Sequence, residues 1–301
     1  MNTNDLLDWG NPDNRIEDII KNSAITSCFS FVKGIGAVSE RRIHGSGIKN
    51  WDLFSKYQEK AVLKLKKWKM IKKHIPIVKK ALETKNVPQI RKLIPNNQHW
   101  RMIPNFINDI AYLDIETTGL SYYRHKITTI GVFDGTKVHT FVRGDNLDEF
   151  PQFIKNFKAI ASYNGKQFDV PFIENEMRFR MDHIHFDLRF LLQRVGLKGG
   201  LKKIEQKLGI SRPESAGLDG FAAVVLWKKY KKTKDKKYLE TLLAYNAEDV
   251  INLEILLYQA YNKNLKKEQL EHPMFYFKPK NVENPYNADR TVVYEVSRSF
   301  G

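Results

Sequence analysis

The stretch Ile110-Ala111-Tyr112-Leu113-Asp114-Ile115-Glu116-Thr117-Thr118-Gly119-Leu120 sets two acids into an otherwise apolar run. The pattern predicts a strand with apolar residues on both sides of Asp114 and Glu116. Two residues apart on a strand, both carboxylates point to one face. Burying like charges side by side is costly unless a cation neutralises them. An oxygen-only donor set of this kind suits Mg²⁺ or Mn²⁺ rather than zinc. Taken alone, the same Asp-x-Glu also fits an amphipathic strand whose polar face meets water.

The residues that follow add further acids in a definite context. Residues 127–133 and 137–142, joined through Asp134-Gly135, read as a β-hairpin, and with the first strand they make a three-stranded meander. Residues 147–157 suit a helix and 159–163 a buried strand. Directly after that strand come Asn164-Gly165-Lys166-Gln167-Phe168-Asp169, then a helix started by Pro171 and running to about Phe179. Asp169 thus falls at a strand-to-helix junction, where α/β folds place ligand groups. A further short strand over 183–186 ends at Asp187. Tyr245-Asn246-Ala247-Glu248-Asp249 lies in a helical segment running to about Asn262, with Tyr245 and Asp249 one turn apart on one face. A carboxylate with a phenol one turn away can hold a metal and orient its water; such a pair is equally compatible with an ordinary exposed helix acid.

The order Asp-x-Glu-Thr-Thr-Gly-Leu, then Asn-x-x-x-Phe-Asp, then Tyr-x-x-x-Asp resembles the DEDD exonucleases of the RNase H-like superfamily. The last pattern marks the tyrosine subclass; the histidine subclass needs His five residues before Asp249, where Ala244 stands. More narrowly, residues 163–171 and 245–254, together with Phe186-Asp187-Leu188, resemble the YprB-type exonucleases. The resemblance covers about residues 28–55 and 108–262. It implies an α/β fold with an RNase H-like mixed five-stranded sheet flanked by helices, preceded by a small all-α helix-hairpin-helix-like module. It also implies a metal-dependent 3′–5′ exonuclease using two divalent ions, Mg or Mn. In that scheme Asp114 bridges the ions, Glu116 and Asp249 serve the ion that activates water, Asp169 holds the second, and Tyr245 orients the nucleophile. Beyond the metal ligands, the backbone at Thr117, Thr118, Gly119 and Leu120 is placed to touch the terminal nucleotide, with Leu120 as a wedge against a base. The amide of Asn164 is placed to reach a phosphate or sugar.

Charge organises the remainder. The 301 residues carry 50 Lys and Arg against 34 Asp and Glu, a net of +16. Residues 1–105 hold 20 of those cations and 9 of the acids, a surplus of 11, so the catalytic part is nearly balanced. Between Lys56 and Lys80 ten lysines face the single acid Glu59, while Val62, Leu65, Trp68, Ile71 and Ile75 recur at three- and four-residue spacing. This predicts an amphipathic helix with a lysine-rich outer face, suited to phosphate contact at Lys66, Lys67 and Lys69. Upstream, Gly34-Ile35-Gly36 precedes a helix carrying Arg41 and Arg42, and the glycines let backbone N–H groups approach a phosphate. With a second turn at Gly47, Ile48 as its plug and Asn50 as an N-cap, this stretch resembles the helix-hairpin-helix motif of non-sequence-specific DNA-binding proteins.

The organisation expected is therefore a basic nucleic-acid-binding module over 1–105, an exonuclease domain over 106–264, and a C-terminal extension of unassigned role over 265–301. A linker is expected at 94–98, and the basic run 228–237 reads as a surface loop or a frayed helix junction. The hairpin resemblance tilts the expected partner toward DNA over RNA, and nothing in the core reads a 2′-hydroxyl in a recognisable way. A structure-specific or RNA-directed nuclease, and a non-catalytic binding protein on a nuclease fold, are the other readings; the second predicts a missing acid. Composition excludes wholly disordered and collagen-like chains. The lone Cys28 excludes an internal disulfide or Cys-based zinc site and argues for a reducing compartment. No Gly-x-Ser-x-Gly elbow is present. Apolar runs fall far short of the roughly 18 residues that span a bilayer and no secretory signal is visible, so no membrane association and a cytoplasmic location are expected.

Overall fold

The computed structural model describes residues 6–7, 11, 14–58, 62–213, 218, 220–275 and 282–298. Glu59 and Lys60 lie outside the described residues. Two compact units emerge, Met1–Asn108 with Tyr261–Tyr276 and Asp109–Ala260 with Phe277–Gly301. The chain's last residues are thus divided between the units. No helix among the described residues is long and apolar enough to cross a membrane.

In the first unit a two-residue strand β1 (Leu6–Leu7) pairs in parallel with β7 (Met274–Phe275), and the rest is helical. Its helices are α1 (Ile16–Asn22), α2 (Ala37–Gly45), α3 (Trp51–Lys56), α4 (Leu65–Glu83), α5 (Val87–Leu93) and α6 (Ile103–Phe106). Gly34 adopts φ +81°, the left-handed region that favours glycine, ahead of α2. Gly36 is in extended backbone that other residues also adopt. The element before this turn is a four-residue 3₁₀ turn, Ala24–Ser27. Asn50 caps α3 as expected, accepting the N–H of Leu53 at 2.9 Å, and Ile48 is buried.

Two expectations for this unit are corrected. The lysine-rich stretch is not one helix over 56–80: α3 ends at Lys56 and α4 begins at Leu65. The Phe54 ring stacks on Trp68 with centroids 4.2 Å apart, which requires the chain to turn back between them. Residues 94–98 are no linker either. Ile94 is buried, and a 3₁₀ helix over Asn96–Met102 buries His99, Trp100, Arg101 and Met102 within the unit.

The second unit is built on a five-stranded mixed sheet in the order β4-β3-β2-β5-β6. Its strands are β2 (Ile110–Thr117), β3 (Ile127–Phe133), β4 (Val138–Val142), β5 (Ala159–Ser162) and β6 (Ile184–Asp187). The meander β2–β3–β4 is antiparallel, and β5 and β6 extend it in parallel from β2. Its helices are α7 (Phe150–Ile154), α8 (Asp169–Met177), α9 (Leu188–Arg194), α10 (Leu201–Leu208), α11 (Gly220–Thr233), α12 (Lys236–Glu268), of which the part from Tyr261 onward belongs to the first unit, and α13 (Arg290–Ser297). This is the α/β architecture that the resemblance implies.

Central β2 is covered on both faces, which explains its apolar run. Ala111, Leu113 and Ile115 pack with Phe150 and Ile154 of α7 and Phe172 and Ile173 of α8. Alternation then turns Asp114 and Glu116 to the opposite face, where Asn246 of α12 reaches Asp114. The expected helix over 147–157 is shorter, since a 3₁₀ turn at Leu147–Glu149 precedes α7. The basic run 228–237 is a helix junction, the second of the two expected readings. Buried Leu226 and Trp227 carry α11 on to Thr233, and the break is confined to Lys234, with φ +61°, and Asp235.

Candidate metal centre

Asp114 and Glu116 of β2 meet Asp249 of α12 so that one carboxylate oxygen from each lies within 4.8 Å of the others. The register puts Asp114 opposite Gly131 and Glu116 opposite Thr129 on β3. Asp169, the first residue of α8, completes the group electrostatically. Burial pushes its carboxyl up to about 7, with Asp187 and Asp249 adding to the rise and the N–H of Ile115 opposing it. Asp249 is pushed up to about 6 by burial, against the pull of Arg212. Asp114 and Glu116 are raised well above the usual carboxylate range, first by burial and then by Asp249 and Asp169. Such crowding of buried acids is the electrostatic signature of a site that wants a cation.

Tyr245 sits one turn before Asp249 and is buried. Burial and the neighbouring acids push its phenol up, so it stays protonated at neutral pH and acts as a hydroxyl rather than a base. Asn246 Nδ2 donates to Asp114 Oδ2 at 2.8 Å, fixing that carboxylate.

Residues 111–261, just over half of the chain, match the family model described as RNase_H superfamily. The chain belongs to the RNase H superfamily. No curated protein matches it. In this RNase H-superfamily unit the donor set is oxygen-only, compact and partly buried, which fits a divalent cation. Asp114, Glu116 and Asp249 are the residues that would hold it.

The remaining candidates fall into place unevenly. Thr117 spends its hydroxyl on the carbonyl of Gly119 at 2.7 Å, and Thr118 Oγ1 accepts the N–H of Lys126 at 3.0 Å, so both side chains serve the turn. Leu120 is 86% exposed. With Asn164, Tyr163, Arg189 and Lys198 it lines a cleft of 830 Å³. Asn164 takes φ +70° and accepts from Arg189 Nη1 at 2.8 Å. In the first unit, Lys67 Nζ donates to the carbonyl of Gly34, joining the hairpin glycine to α4. Arg41, Arg42, Lys66 and Lys69 are exposed there.

Several residues carry no assigned role in the motif reading. Asp187 accepts the N–H groups of Asn164 and Lys166, both at 3.0 Å, and so closes the loop that presents Asp169. Arg212 ion-pairs with Asp249 and Glu205, and the Lys202 ammonium lies 4.6 Å from the Tyr245 ring centre. Asn246 stands inside the quoted Tyr-x-x-x-Asp motif, so a local signal existed; Arg212 and Lys202 come from distant sequence with none.

Two glycines hold the site by having no side chain. A Cβ on Gly131 would lie 2.5 Å from Asn246 Oδ1, and one on Gly165 would lie 2.2 Å from Ser162 Oγ. Gly131→Ala therefore displaces Asn246 from Asp114. The expected result is a stability loss of about 1–3 kcal/mol and a several-fold fall in Mn²⁺ affinity, read by chemical denaturation and calorimetric titration. Unchanged metal affinity would show that Asn246 does not position Asp114.

Proposed function

We propose that the protein is a metal-dependent 3′–5′ exonuclease of the DEDD tyrosine type, acting on DNA through two divalent ions, Mg or Mn. The observation that carries this reading is the convergence of Asp114, Glu116 and Asp249 within 4.8 Å, one turn from Tyr245. When bound, the ions supply a nucleophilic water at neutral pH and stabilise the charge that builds on the phosphate. Asp114, Glu116, Asp169 and Asp249 hold them. The protonated Tyr245 hydroxyl orients the attacking water, Leu120 wedges against the terminal base, and Asn164 steadies the strand.

Digestion of end-labelled single-stranded DNA, duplex DNA and RNA with Mg²⁺ or Mn²⁺ tests this. A ladder growing from the 3′ end and abolished by EDTA is the expected result. Cleavage of closed circles would instead establish an endonuclease, and EDTA-resistant cleavage would overturn the metal mechanism.

The basic first unit, in this reading, grips the DNA backbone through Gly34, Gly36, Arg41, Arg42, Lys66, Lys67 and Lys69. The triple variant Lys66→Ala/Lys67→Ala/Lys69→Ala should weaken DNA binding alike for all sequences. Because each phosphate contact contributes about 0.9 to the slope of log K against log salt, that slope should fall by about 2 to 3. Fluorescence anisotropy over a salt series measures it; an unchanged slope would place the contacts elsewhere.

A further inference from the structure

The carboxylate cluster has cations of its own, both supplied by the segment 202–212. Lys202, near the start of α10, favours the charged forms of Glu116 and Asp249. Arg212 is more specific. Its Nη2 pairs with Oδ1 of Asp249, while Nε and Nη2 engage the two oxygens of Glu205. Glu205 is fully buried on α10, and its Oε1 also accepts from Asn252 Nδ2 at 3.0 Å. Asn252 lies three residues beyond Asp249 on α12. Glu205 therefore anchors the guanidinium to the helix that carries the candidate ligand.

We propose that Arg212 is a resident counter-ion of the candidate metal centre. Its hold on Asp249 is antagonistic to divalent-ion binding, and its guanidinium, still anchored on Glu205, turns to a phosphate oxygen of the nucleic-acid substrate. This rests on the nuclease reading above. The argument is one of shared chemistry. A carboxylate beside a guanidinium has part of its demand for positive charge already met, an effect worth about 1–3 pKa units for an opposite charge within 4–6 Å. Arg212 and a divalent ion therefore compete for the charge of Asp249. A guanidinium fork matches carboxylate and phosphate alike, which a lysine ammonium does not. Arg212 can thus exchange one for the other without leaving Glu205.

Calorimetric titration of the full chain with Mn²⁺, without substrate, tests the proposal. Arg212→Gln should bind Mn²⁺ about tenfold more tightly than wild type, while its kcat on single-stranded DNA falls at least about tenfold. Glu205→Gln, which leaves the guanidinium to Asp249 alone, should bind Mn²⁺ more weakly. The double variant Arg212→Gln/Glu205→Gln removes the Glu205 charge together with its cation and should bind Mn²⁺ as tightly as Arg212→Gln. Weaker or unchanged Mn²⁺ affinity in both Arg212→Gln and the double variant overturns the proposal and leaves the nuclease reading standing. Tighter Mn²⁺ binding with an unchanged kcat removes the phosphate role and overturns it as well. A wild-type protein that binds no Mn²⁺ overturns the nuclease reading itself.

Discussion

Asp114→Asn is expected to lower nuclease turnover by a thousandfold or more, about 4 kcal/mol of transition-state stabilisation, while raising the melting temperature in EDTA. The two effects share one cause. Asp114 is held among Asp249, Asp169 and Glu116, so its charge is disfavoured in the folded protein and useful only to a cation. An amide at this position relieves the repulsion and keeps the hydrogen-bonding shape beside Asn246. Asp169→Asn extends the test to pH. A carboxyl raised to about 7 in the folded state binds more protons there than in the unfolded chain, so it lowers stability progressively as pH rises from about 4 through about 7. The stabilisation from Asp169→Asn should therefore be near zero at pH 4 and complete above pH 7, on the order of 4 kcal/mol. Buried His185 and His272, held down to about 3 and about 4, tilt the wild type the other way over part of this range. The informative quantity is thus the difference between variant and wild type in melts from pH 4 to 8. A constant difference, or a less stable variant at pH 8, would refute the picture of a strained acid cluster.

The acids were legible in combination, since each pattern alone also fits an ordinary strand or helix acid and only their order along the chain carries the resemblance. Asp114 and Glu116 interrupt a buried strand, Asp169 follows a strand end, and Asp249 repeats Tyr245 one helical turn on. The sheet was legible because alternation and turn residues bound every strand. What the sequence does not reveal is decided by distant partners. Val62, Leu65 and Trp68 keep a helical spacing in the sequence, yet α3 ends at Lys56, α4 begins at Leu65, and Phe54 stacks on Trp68. Arg212 lies 37 residues from Asp249, and no local spacing announces such a pairing. The basic run 228–233 is helical because Leu226 and Trp227 are buried beneath it, a tertiary fact that its lysines conceal.

Arg101→Ala is expected to cost about 3–5 kcal/mol of stability in the first unit. Arg101 is only 3% exposed, yet its Nη2 donates to Glu40 Oε2 and Glu268 Oε2, both at 2.7 Å. Glu40 in turn accepts the N–H of Phe29 through Oε1 at 2.7 Å. One guanidinium thus ties α2 to the end of α12 and to the turn that leads into Gly34. Truncating it leaves the buried carboxylate of Glu40 without its cation and takes one partner from the half-buried Glu268. Removing the charge from both ends, as in Arg101→Met/Glu40→Gln, should recover much of the loss, since an unpaired buried charge costs more than an absent pair. Tryptophan emission is a suitable probe in urea, because Trp51, Trp68 and Trp100 all belong to this unit. The consequence reaches function through geometry. Arg41 and Arg42 follow Glu40 directly on α2, so a loosened α2 presents its cations in many orientations, and DNA affinity falls although Arg101 touches no phosphate. If Arg101→Ala unfolds at the wild-type urea concentration, or if the double variant is the less stable of the two, the triad does not hold α2 in place.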